Sequence, residues 1–333
     1  MTKRLACMLA PQRSTQYARL IETLALPELL ISPLREHIRS ATPRQIAGLP
    51  FIILELDGEV DAHAVQLLAR LATIQACFWL HESSPSGMLE PIDLPSPDGL
   101  PPELLFARRY KGKTNEDLTR FLINAAAFAS SFSHLEGRLD VLDPLAGGGT
   151  TLFAALTAGH NAYGIELQRK DVESTVTFLR QFLEEANIRF QYRDERLRQM
   201  GRRWTFIVER EGEPQRCVLA HGDAAQAAQL LPGTRPHIIV ADLPYGVQHK
   251  GPIFSLLEAN LPAWAALLRS GGGIALAWDA TRLPRTALLE WVTTLAPELT
   301  WLDESPWNAL AHPVDRVIKR RDILVARKEP PEG

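Results

Sequence analysis

Two short stretches of the chain decide its fold, namely Val141-Leu-Asp-Pro-Leu-Ala-Gly-Gly-Gly-Thr-Thr151 and Ile238-Ile-Val-Ala-Asp-Leu-Pro-Tyr-Gly246. Each is an apolar run typical of a buried β-strand that ends in an acidic residue and then breaks into a turn. Each stretch therefore places polar groups at the carboxyl end of a buried strand. In an open α/β sheet, ligands bind at that edge.

Around these stretches, strand and helix patterns alternate along the chain. Strands are predicted at 139–142, 161–165, 237–241 and 273–278, and helices at 115–130, 150–158, 166–185, 253–268 and 284–296. The segments 205–209 and 216–220 predict a hairpin. Such alternation predicts an α/β fold with a doubly wound, mostly parallel sheet. Two late strands, 299–302 and 322–326, have no clear helix between them, which indicates an antiparallel end of the sheet.

The amino-terminal part predicts a small α/β domain over residues 1–84, without chemistry of its own. A strand at 51–56, a helix at 62–73 and a strand at 76–80 form a βαβ-like unit. Prolines are frequent between Pro85 and Pro102, and this composition is typical of a linker. We therefore predict a linker over 85–105 and a main domain over 106–333.

The composition bounds the class of protein. A chain of 333 residues with 46% hydrophobic residues supplies an ordinary globular core. No apolar stretch approaches the roughly 20 residues of a membrane span, and the start lacks the apolar core of a signal peptide, so we expect a cytoplasmic protein without a membrane partner. A net charge of −3 argues against a continuous basic surface for nucleic acid but leaves local basic clusters, such as 108–113 and 316–321.

The glycine-rich turn allows a ligand to approach the backbone closely, because side chains at Gly147, Gly148 and Gly149 would collide with it. A dinucleotide-binding fold has a similar turn, followed about 20 positions later by an acidic residue, as Glu166 is here. However, Leu152 stands where Gly-x-Gly-x-x-Gly has its third glycine. An Asp-Pro pair at the strand end also has no role in seating a pyrophosphate.

Taken together, the motif from Asp143 to Thr151 and the motif from Asp242 to Tyr245 resemble two motifs of S-adenosylmethionine-dependent methyltransferases that modify exocyclic amines of nucleic-acid bases. The resemblance implies a Rossmann-like class I methyltransferase fold over about residues 106–328. Asp-Leu-Pro-Tyr-Gly looks most like the THUMP-associated tRNA guanine-N2 methyltransferases of the RNA methylase family. A Tyr-Lys-Gly-Lys-Thr-Asn segment and a helix ahead of both motifs also match that family.

S-adenosylmethionine is the cofactor that this resemblance implies, and its chemistry needs no metal. Asp143 is expected near its α-amino group, Glu166 on both ribose hydroxyls, and Asp223 on the adenine amino group. The other expected cofactor contacts lie ahead of the first helix, in the glycine-rich turn, and at two further strand ends: Thr114, Asn115, Pro144, Ala146, Gly147, Gly149, Thr150, Thr151, Ala224 and Asp242.

The second motif is expected to hold the target amine, whose lone pair is delocalised into the ring. The Asp242 side chain and the backbone carbonyl of Leu243 would accept both N–H groups, so that the lone pair can point at the methyl group. Tyr245 would stack on the base, an interaction worth about 1–3 kcal/mol. Leu243 replaces a proline of many relatives, and Pro244 keeps it extended. Asp242, Leu243, Pro244 and Tyr245 are therefore the predicted catalytic set.

The expected substrate is RNA, with guanine N2 of tRNA first and ribosomal RNA second. A DNA adenine-N6 or cytosine-N4 methyltransferase stays open, because the same geometry serves all three amines, although the insertion 186–216 is small for a target-recognition domain. Methylation of a protein glutamine amide and a catalytically silent module that binds RNA or a partner stay open too. Nine arginines between 180 and 216 form either a salt-bridged exposed helix and hairpin or a substrate arm, with Trp204 available for stacking.

Overall fold

A computed structural model of the chain describes residues 3–12, 15–58, 60–81, 88–110, 112–133, 137–198, 200–244, 251–314 and 319–330. In these residues the strands form two sheets, one of five strands and one of nine. The smaller sheet and its helices comprise β1 (Lys3–Leu9), α1 (Thr15–Ile31), β2 (Ile38–Ile46), β3 (Leu49–Leu56), α2 (Ala62–Arg70), β4 (Ile74–His81) and β5 (Met88–Ile92). A 3-10 helix at Pro33–His37 precedes β2.

The smaller sheet has the order β2-β3-β1-β4-β5, and each neighbouring pair is antiparallel. The predicted βαβ-like unit is corrected by this order, since β1 lies between β3 and β4. The apolar run Leu5-Ala-Cys7 is fully buried, which explains its central place in the sheet. Residues 88–92, which the sequence placed in the linker, form β5 on β4. The domain limits at 84 and 106 stay a prediction.

The larger sheet and its helices follow along the chain. They comprise α3 (Glu103–Ala107), α4 (Glu116–Ala129), β6 (Asp140–Asp143), α5 (Thr150–Thr157), β7 (Asn161–Glu166), α6 (Arg169–Glu185), β8 (Phe190–Leu197), β9 (Gly201–Val208), β10 (Gln215–His221), α7 (Ala227–Leu230), β11 (Ile238–Asp242), α8 (Gly251–Leu267), β12 (Gly273–Asp279), α9 (Arg285–Leu295), β13 (Leu299–Leu302) and β14 (Arg321–Lys328). No helix in the described ranges is long and apolar enough to cross a membrane.

The strand order of the larger sheet is β13-β14-β12-β11-β6-β7-β10-β9-β8. Within the series β12-β11-β6-β7-β10, each pair of neighbouring strands is parallel. Strand β14, in contrast, is antiparallel to both β12 and β13. The residues Ile238–Ala241 are at most 1% exposed, as expected for a parallel strand covered by helices on both faces. The predicted doubly wound sheet with an antiparallel end is confirmed, and the order is that of the Rossmann-like class I methyltransferase fold.

The arginine-rich insertion extends this sheet at one edge. Strand β8 pairs antiparallel with β9, and β9 pairs antiparallel with β10. The predicted hairpin is therefore confirmed, but residues 190–197 form an additional strand that the sequence did not predict. Phe190 and Tyr192 pack against Phe206, with ring centroids 5.9 and 5.0 Å apart, and this packing explains why so polar a segment is extended.

One hydrophobic cluster spans both sheets, whereas a second cluster lies within the larger sheet and its helices and a third, small one within the smaller sheet. Buried residues of α1, such as Leu24 and Leu29, belong to the same cluster as Phe121 and Leu122 of α4. Helix α4 begins just after Thr114, whose hydroxyl donates to Asp242 at the carboxyl edge of the larger sheet. The packing of α1 on α4 therefore helps to position this segment of the predicted site. Through α1, the smaller sheet thus contacts the helix that begins directly after Thr114 and Asn115.

Candidate functional site

Three carboxylates lie at the carboxyl ends of three neighbouring parallel strands. Asp242 ends β11, Asp143 ends β6, and Glu166 ends β7, with β6 between the other two. The negative charges of Asp242 and Glu166 both act on Asp143. The structure therefore brings together these three residues, which lie far apart in the sequence.

The glycine-rich turn joins β6 to α5 by a path that depends on glycine at several positions. Gly147 and Gly149 have φ angles of +49° and +84°, in the left-handed region that favours glycine, and Gly149 caps α5. The backbone N–H of Ala146 donates to the carbonyl of Ile165 at 2.8 Å, which ties the turn to β7. At Gly148 an added Cβ would lie 2.2 Å from the Tyr110 ring. The turn is thus closely packed on both sides.

Glu166 is held in one orientation by the backbone. Its Oε2 accepts from the N–H of Gly147 at 2.9 Å, and its Oε1 accepts from the N–H of Gln168 at 2.6 Å. Each carboxylate oxygen has a second lone pair. The side chain can therefore still accept two hydroxyls of a ligand, as the sequence predicts for a ribose.

Asp143 is 4% exposed, and its Oδ1 accepts from the N–H of Leu145 at 2.9 Å. Burial raises the pKa of this carboxyl to about 7, and the charges of Asp242 and Glu166 act in the same direction, against the hydrogen bonds from Thr151 and Leu145. A bound cation would favour the charged form. An edge with three carboxylates is suited to a cationic ligand and disfavours a pyrophosphate, which argues against the dinucleotide alternative.

Asp242 receives a hydrogen bond from the segment that precedes α4. The hydroxyl of Thr114 donates to Asp242 Oδ2 at 2.8 Å, and Nη2 of Arg321, on β14, lies 3.8 Å from the same oxygen. Arg321 is 6% exposed, so this charge is close and poorly screened. Thr114 was predicted as a cofactor contact, and the structure places its hydroxyl on the predicted catalytic acid.

The residues after Asp242 are only partly described. Leu243 is fully buried, and its N–H donates to the carbonyl of Ala277 at 2.8 Å. Pro244 is exposed. Tyr245, the predicted stacking residue, lies outside the described residues. The roles predicted for these three residues stay predictions.

Other predicted contacts occupy the same edge or its flanks. Asp223 follows β10, and its Oδ1 accepts from the N–H of Ala225 at 2.9 Å at the start of a 3-10 helix, Ala224–Gln226. Asn115 caps α4, because its Oδ1 accepts from the N–H of Leu118 at 3.0 Å. The hydroxyl of Thr150 hydrogen-bonds that of Tyr110 at 2.6 Å. Pro144, Ala146 and Ala224 are buried in or beside these turns. Their roles in cofactor binding stay predictions.

Sequence reasoning missed the part that Arg108 and Tyr110 have in the site. Arg108 donates to the carbonyl of Gly148 and to the hydroxyl of Thr175, the latter at 2.6 Å, and its guanidinium lies over the Tyr110 ring at 5.0 Å. In the sequence, the segment from Tyr110 to Asn115 was matched to the RNA methylase family, but the cluster 108–113 was otherwise predicted only as a basic patch, without a contact to the glycine-rich turn. Its position directly ahead of α4 was the available signal for a contact with the glycine-rich turn.

The arginine-rich insertion is partly neutralised by its own acids. Arg202 pairs with Asp194 at 2.5 Å, and Arg203 pairs with Glu195 at 3.0 Å. Trp204 is 3% exposed and packs in the core. The suggestion that this tryptophan is available for stacking on a substrate is therefore wrong, because pairing between β9 and β10 directs it inward.

No protein-family model and no curated protein sequence matches the chain. Among solved structures, the chain is similar to TrmN from Thermus thermophilus, with 18% identity and a TM-score of 0.42, over 85% of this chain and 57% of that one. It is similar to a methyltransferase homolog from Pyrococcus horikoshii, with 10% identity and a TM-score of 0.42, over 98% and 87%. An rRNA methylase from Streptococcus thermophilus matches with 14% identity and a TM-score of 0.36, over 61% and 92%.

The match thus spans little more than half the length of TrmN. Likeness at this level concerns the fold, and the assignment of the fold rests on the strand order and strand directions described above.

Proposed function

We propose that the chain is an S-adenosylmethionine-dependent methyltransferase that modifies an exocyclic amine of a base in RNA, with guanine N2 of tRNA as the first choice. The observation that carries the proposal is the position of Asp242, held by Thr114 at 2.8 Å. It lies one strand away from the glycine-rich turn and two strands away from Glu166, which accepts from that turn. This juxtaposition supports the proposal, because a carboxylate that could accept from an amine lies beside a sheet edge suited to a cationic ligand.

The donor set fits the proposed cofactor. S-adenosylmethionine carries an ammonium and a sulfonium group and no phosphate, and it supplies an electrophilic methyl group when bound. Asp143 is the partner for the ammonium group, Glu166 for the ribose hydroxyls, and Asp223, at the next strand end, for the adenine amine. The negative charges of Asp143 and Glu166 favour this cationic cofactor over a dinucleotide, whose pyrophosphate is negatively charged.

The residues of the chain would act on the amine by orienting it. Asp242 accepts one N–H of the amine, and the carbonyl of Leu243 accepts the other. The two acceptors turn the nitrogen lone pair toward the methyl group, and holding the reacting atoms about 3–3.5 Å apart lowers the barrier substantially. Thr114 and Arg321 restrict the Asp242 carboxylate to one position, so less ordering is needed when the base arrives.

RNA is favoured over duplex DNA by the shape of the insertion. Residues 190–208 continue the large sheet as β8 and β9 and do not form a separate body. An enzyme that acts on a base in a duplex must extrude it, which costs a few kcal/mol and usually requires a target-recognition domain. A base in a single-stranded loop of RNA needs less rearrangement.

Transfer of labelled methyl from S-adenosylmethionine to unmodified total tRNA, ribosomal RNA and duplex DNA, followed by nucleoside mass spectrometry, tests the proposal. Asp242→Ala provides the inactive comparison, and Glu185→Ala, an exposed acid at the end of α6, provides the matched control. N2-methylguanosine in an RNA sample supports the proposal. Methylated adenine or cytosine in DNA replaces it, and no transfer to any sample while cofactor still binds favours a protein amide or a silent module.

A further inference from the structure

A cleft of about 860 Å³ opens between α2, α4, α5 and the proline-rich segment 95–102. Its walls include Arg138, which precedes β6, and His160, which precedes β7. These positions are at the amino ends of strands whose carboxyl ends carry Asp143 and Glu166. The cleft is therefore distinct from the site proposed for methyl transfer, and its volume is within the roughly 300–1,000 Å³ of small-molecule sites.

Arg70, the last residue of α2, contributes a positive charge to this cleft. Burial lowers the pKa of its guanidinium, and no carboxylate within the described ranges forms a salt bridge with it. A charge that has lost part of its water is costly to keep unless an opposite charge or hydrogen-bond acceptors compensate it. Arg70 is thus poised to pair with a bound anion.

His160 supplies a second donor, and its tautomer is fixed by the backbone. The N–H of Leu139 donates to its Nδ1 at 3.3 Å. Burial, together with the charges of Arg70 and Arg138, lowers the pKa of the ring to about 3, so the imidazole is neutral. A neutral ring that accepts at Nδ1 carries its proton on Nε2. Although His160 is only 6% exposed, no acceptor among the described residues takes that proton.

The remainder of the lining is mixed, because it includes His63, Asn124 and Arg120 as well as Asp98, which pairs with Arg138. Leu67, Leu105 and Phe106 line the cleft, and Phe106 is 43% exposed. Glu211 and Glu213 lie at the exposed hairpin between β9 and β10. Acidic residues at the entrance repel a polyanion such as an RNA backbone. A compact ligand with one anionic group and an apolar body fits this distribution.

We propose that this cleft binds a small organic anion, with a phosphate or carboxylate group between Arg70 and His160 and an aromatic or apolar body against Leu67, Leu105 and Phe106. The proposal does not depend on methyl transfer, because none of these residues belongs to the candidate functional site.

Calorimetric titration of the full chain with phenyl phosphate, benzoate and inorganic phosphate tests the proposal. We expect one site for phenyl phosphate or benzoate, with weaker binding of inorganic phosphate. The aromatic anion that binds more tightly shows whether the site prefers a phosphate or a carboxylate group. Arg70→Met should lower the affinity at least about tenfold, because it removes a charged hydrogen-bond donor. Arg327, a partly exposed arginine of β14, pairs with Glu329 away from the cleft, so Arg327→Met should leave the affinity unchanged.

A second measurement does not rely on any variant. Nitrogen-15 spectra of the histidine rings should show a shift at His160 Nε2 when the anion binds, and the pKa of that ring should rise toward its usual range. Saturating S-adenosylhomocysteine should not displace the anion. Absence of binding at millimolar concentrations, displacement by S-adenosylhomocysteine, an unshifted His160 resonance, or equal loss of affinity in both arginine variants would each overturn the proposal.

Discussion

The protonation of Asp143 should make both the stability of the protein and its affinity for a cationic ligand depend on pH. Its pKa in the folded chain is about 7, mainly because of burial, whereas an unfolded aspartate titrates near 3.9. Between about pH 4 and pH 7 the folded state therefore binds more protons than the unfolded state, and stability from this group falls as the pH rises through that range. The charged form that appears near pH 7 is also the form that a cationic ligand prefers.

The affinity for S-adenosylhomocysteine, whose ammonium group is charged at neutral pH, should therefore increase from about pH 6 to about pH 8. Asp143→Asn should bind more weakly and should lose most of this dependence, because the amide does not titrate. Calorimetry at matched ionic strength measures both effects. An equally steep dependence in the variant would show that another group carries it.

Substitutions of Asp242 and Glu166 should separate methyl transfer from cofactor binding. Asp242→Ala is expected to abolish methyl transfer while cofactor affinity stays within a few fold, whereas Glu166→Ala is expected to weaken the cofactor itself. Thr114→Val should slow transfer roughly tenfold without loss of cofactor affinity, because it removes one hydrogen bond to Asp242 Oδ2. Single-turnover rates and calorimetry on the same preparations make the comparison, and equal loss of cofactor binding in the Asp242 and Glu166 variants would contradict this division.

The segment before α4 contacts the glycine-rich turn through Tyr110, whose ring packs against Gly148. In Gly148→Ala the new Cβ would lie 2.2 Å from the Tyr110 ring, so the ring must move and its 2.6 Å hydrogen bond to Thr150 is lost. We expect a cost of about 1–3 kcal/mol in the free energy of unfolding. In the background of Tyr110→Ala the same change should cost much less. Urea unfolding of the parent protein, the two single variants and the double variant measures the coupling free energy between positions 110 and 148. An equal cost in both backgrounds would show that the ring does not restrict the turn.

The elements that the sequence predicted well are those with local signals. The strand ending at Asp143 and the strand ending at Asp242 each combine an apolar run with a turn, and parallel strands bring their ends together. The contact between Thr114 and Asp242 spans 128 residues, so it was not predictable from local pattern. Strand β8 was missed because its eight residues are mostly polar and become a strand only through pairing with β9. Strand β5 contains a proline, which is typical of an edge strand and resembles a linker in the sequence.

At the scale of the molecule, Glu28 joins the two sheets. This residue of α1 is fully buried, and its carboxylate accepts from the N–H groups of Ala72 and Thr73, from the hydroxyl of Thr73 and from Asn124 of α4. The distances lie between 2.6 and 2.9 Å. Because one hydrophobic cluster also spans both sheets, we expect the chain to unfold as one unit.

Removal of Glu28 should destabilise both sheets together. In Glu28→Ala two buried N–H groups lose their acceptor, and each unsatisfied group costs about 1–3 kcal/mol. Trp79 is the one tryptophan among the first 92 residues, so its fluorescence, isolated by comparison with Trp79→Phe, reports on the smaller sheet. The urea midpoint from Trp79 and the midpoint from far-ultraviolet circular dichroism should coincide and should fall together in Glu28→Ala. Asn124→Ala leaves the N–H groups of Ala72 and Thr73 paired and removes one donor each from Glu28 and from the carbonyl of Arg70, so it should shift both midpoints less. A Trp79 transition that moves alone would mean that the smaller sheet unfolds independently and that Glu28 stabilises only that part of the protein.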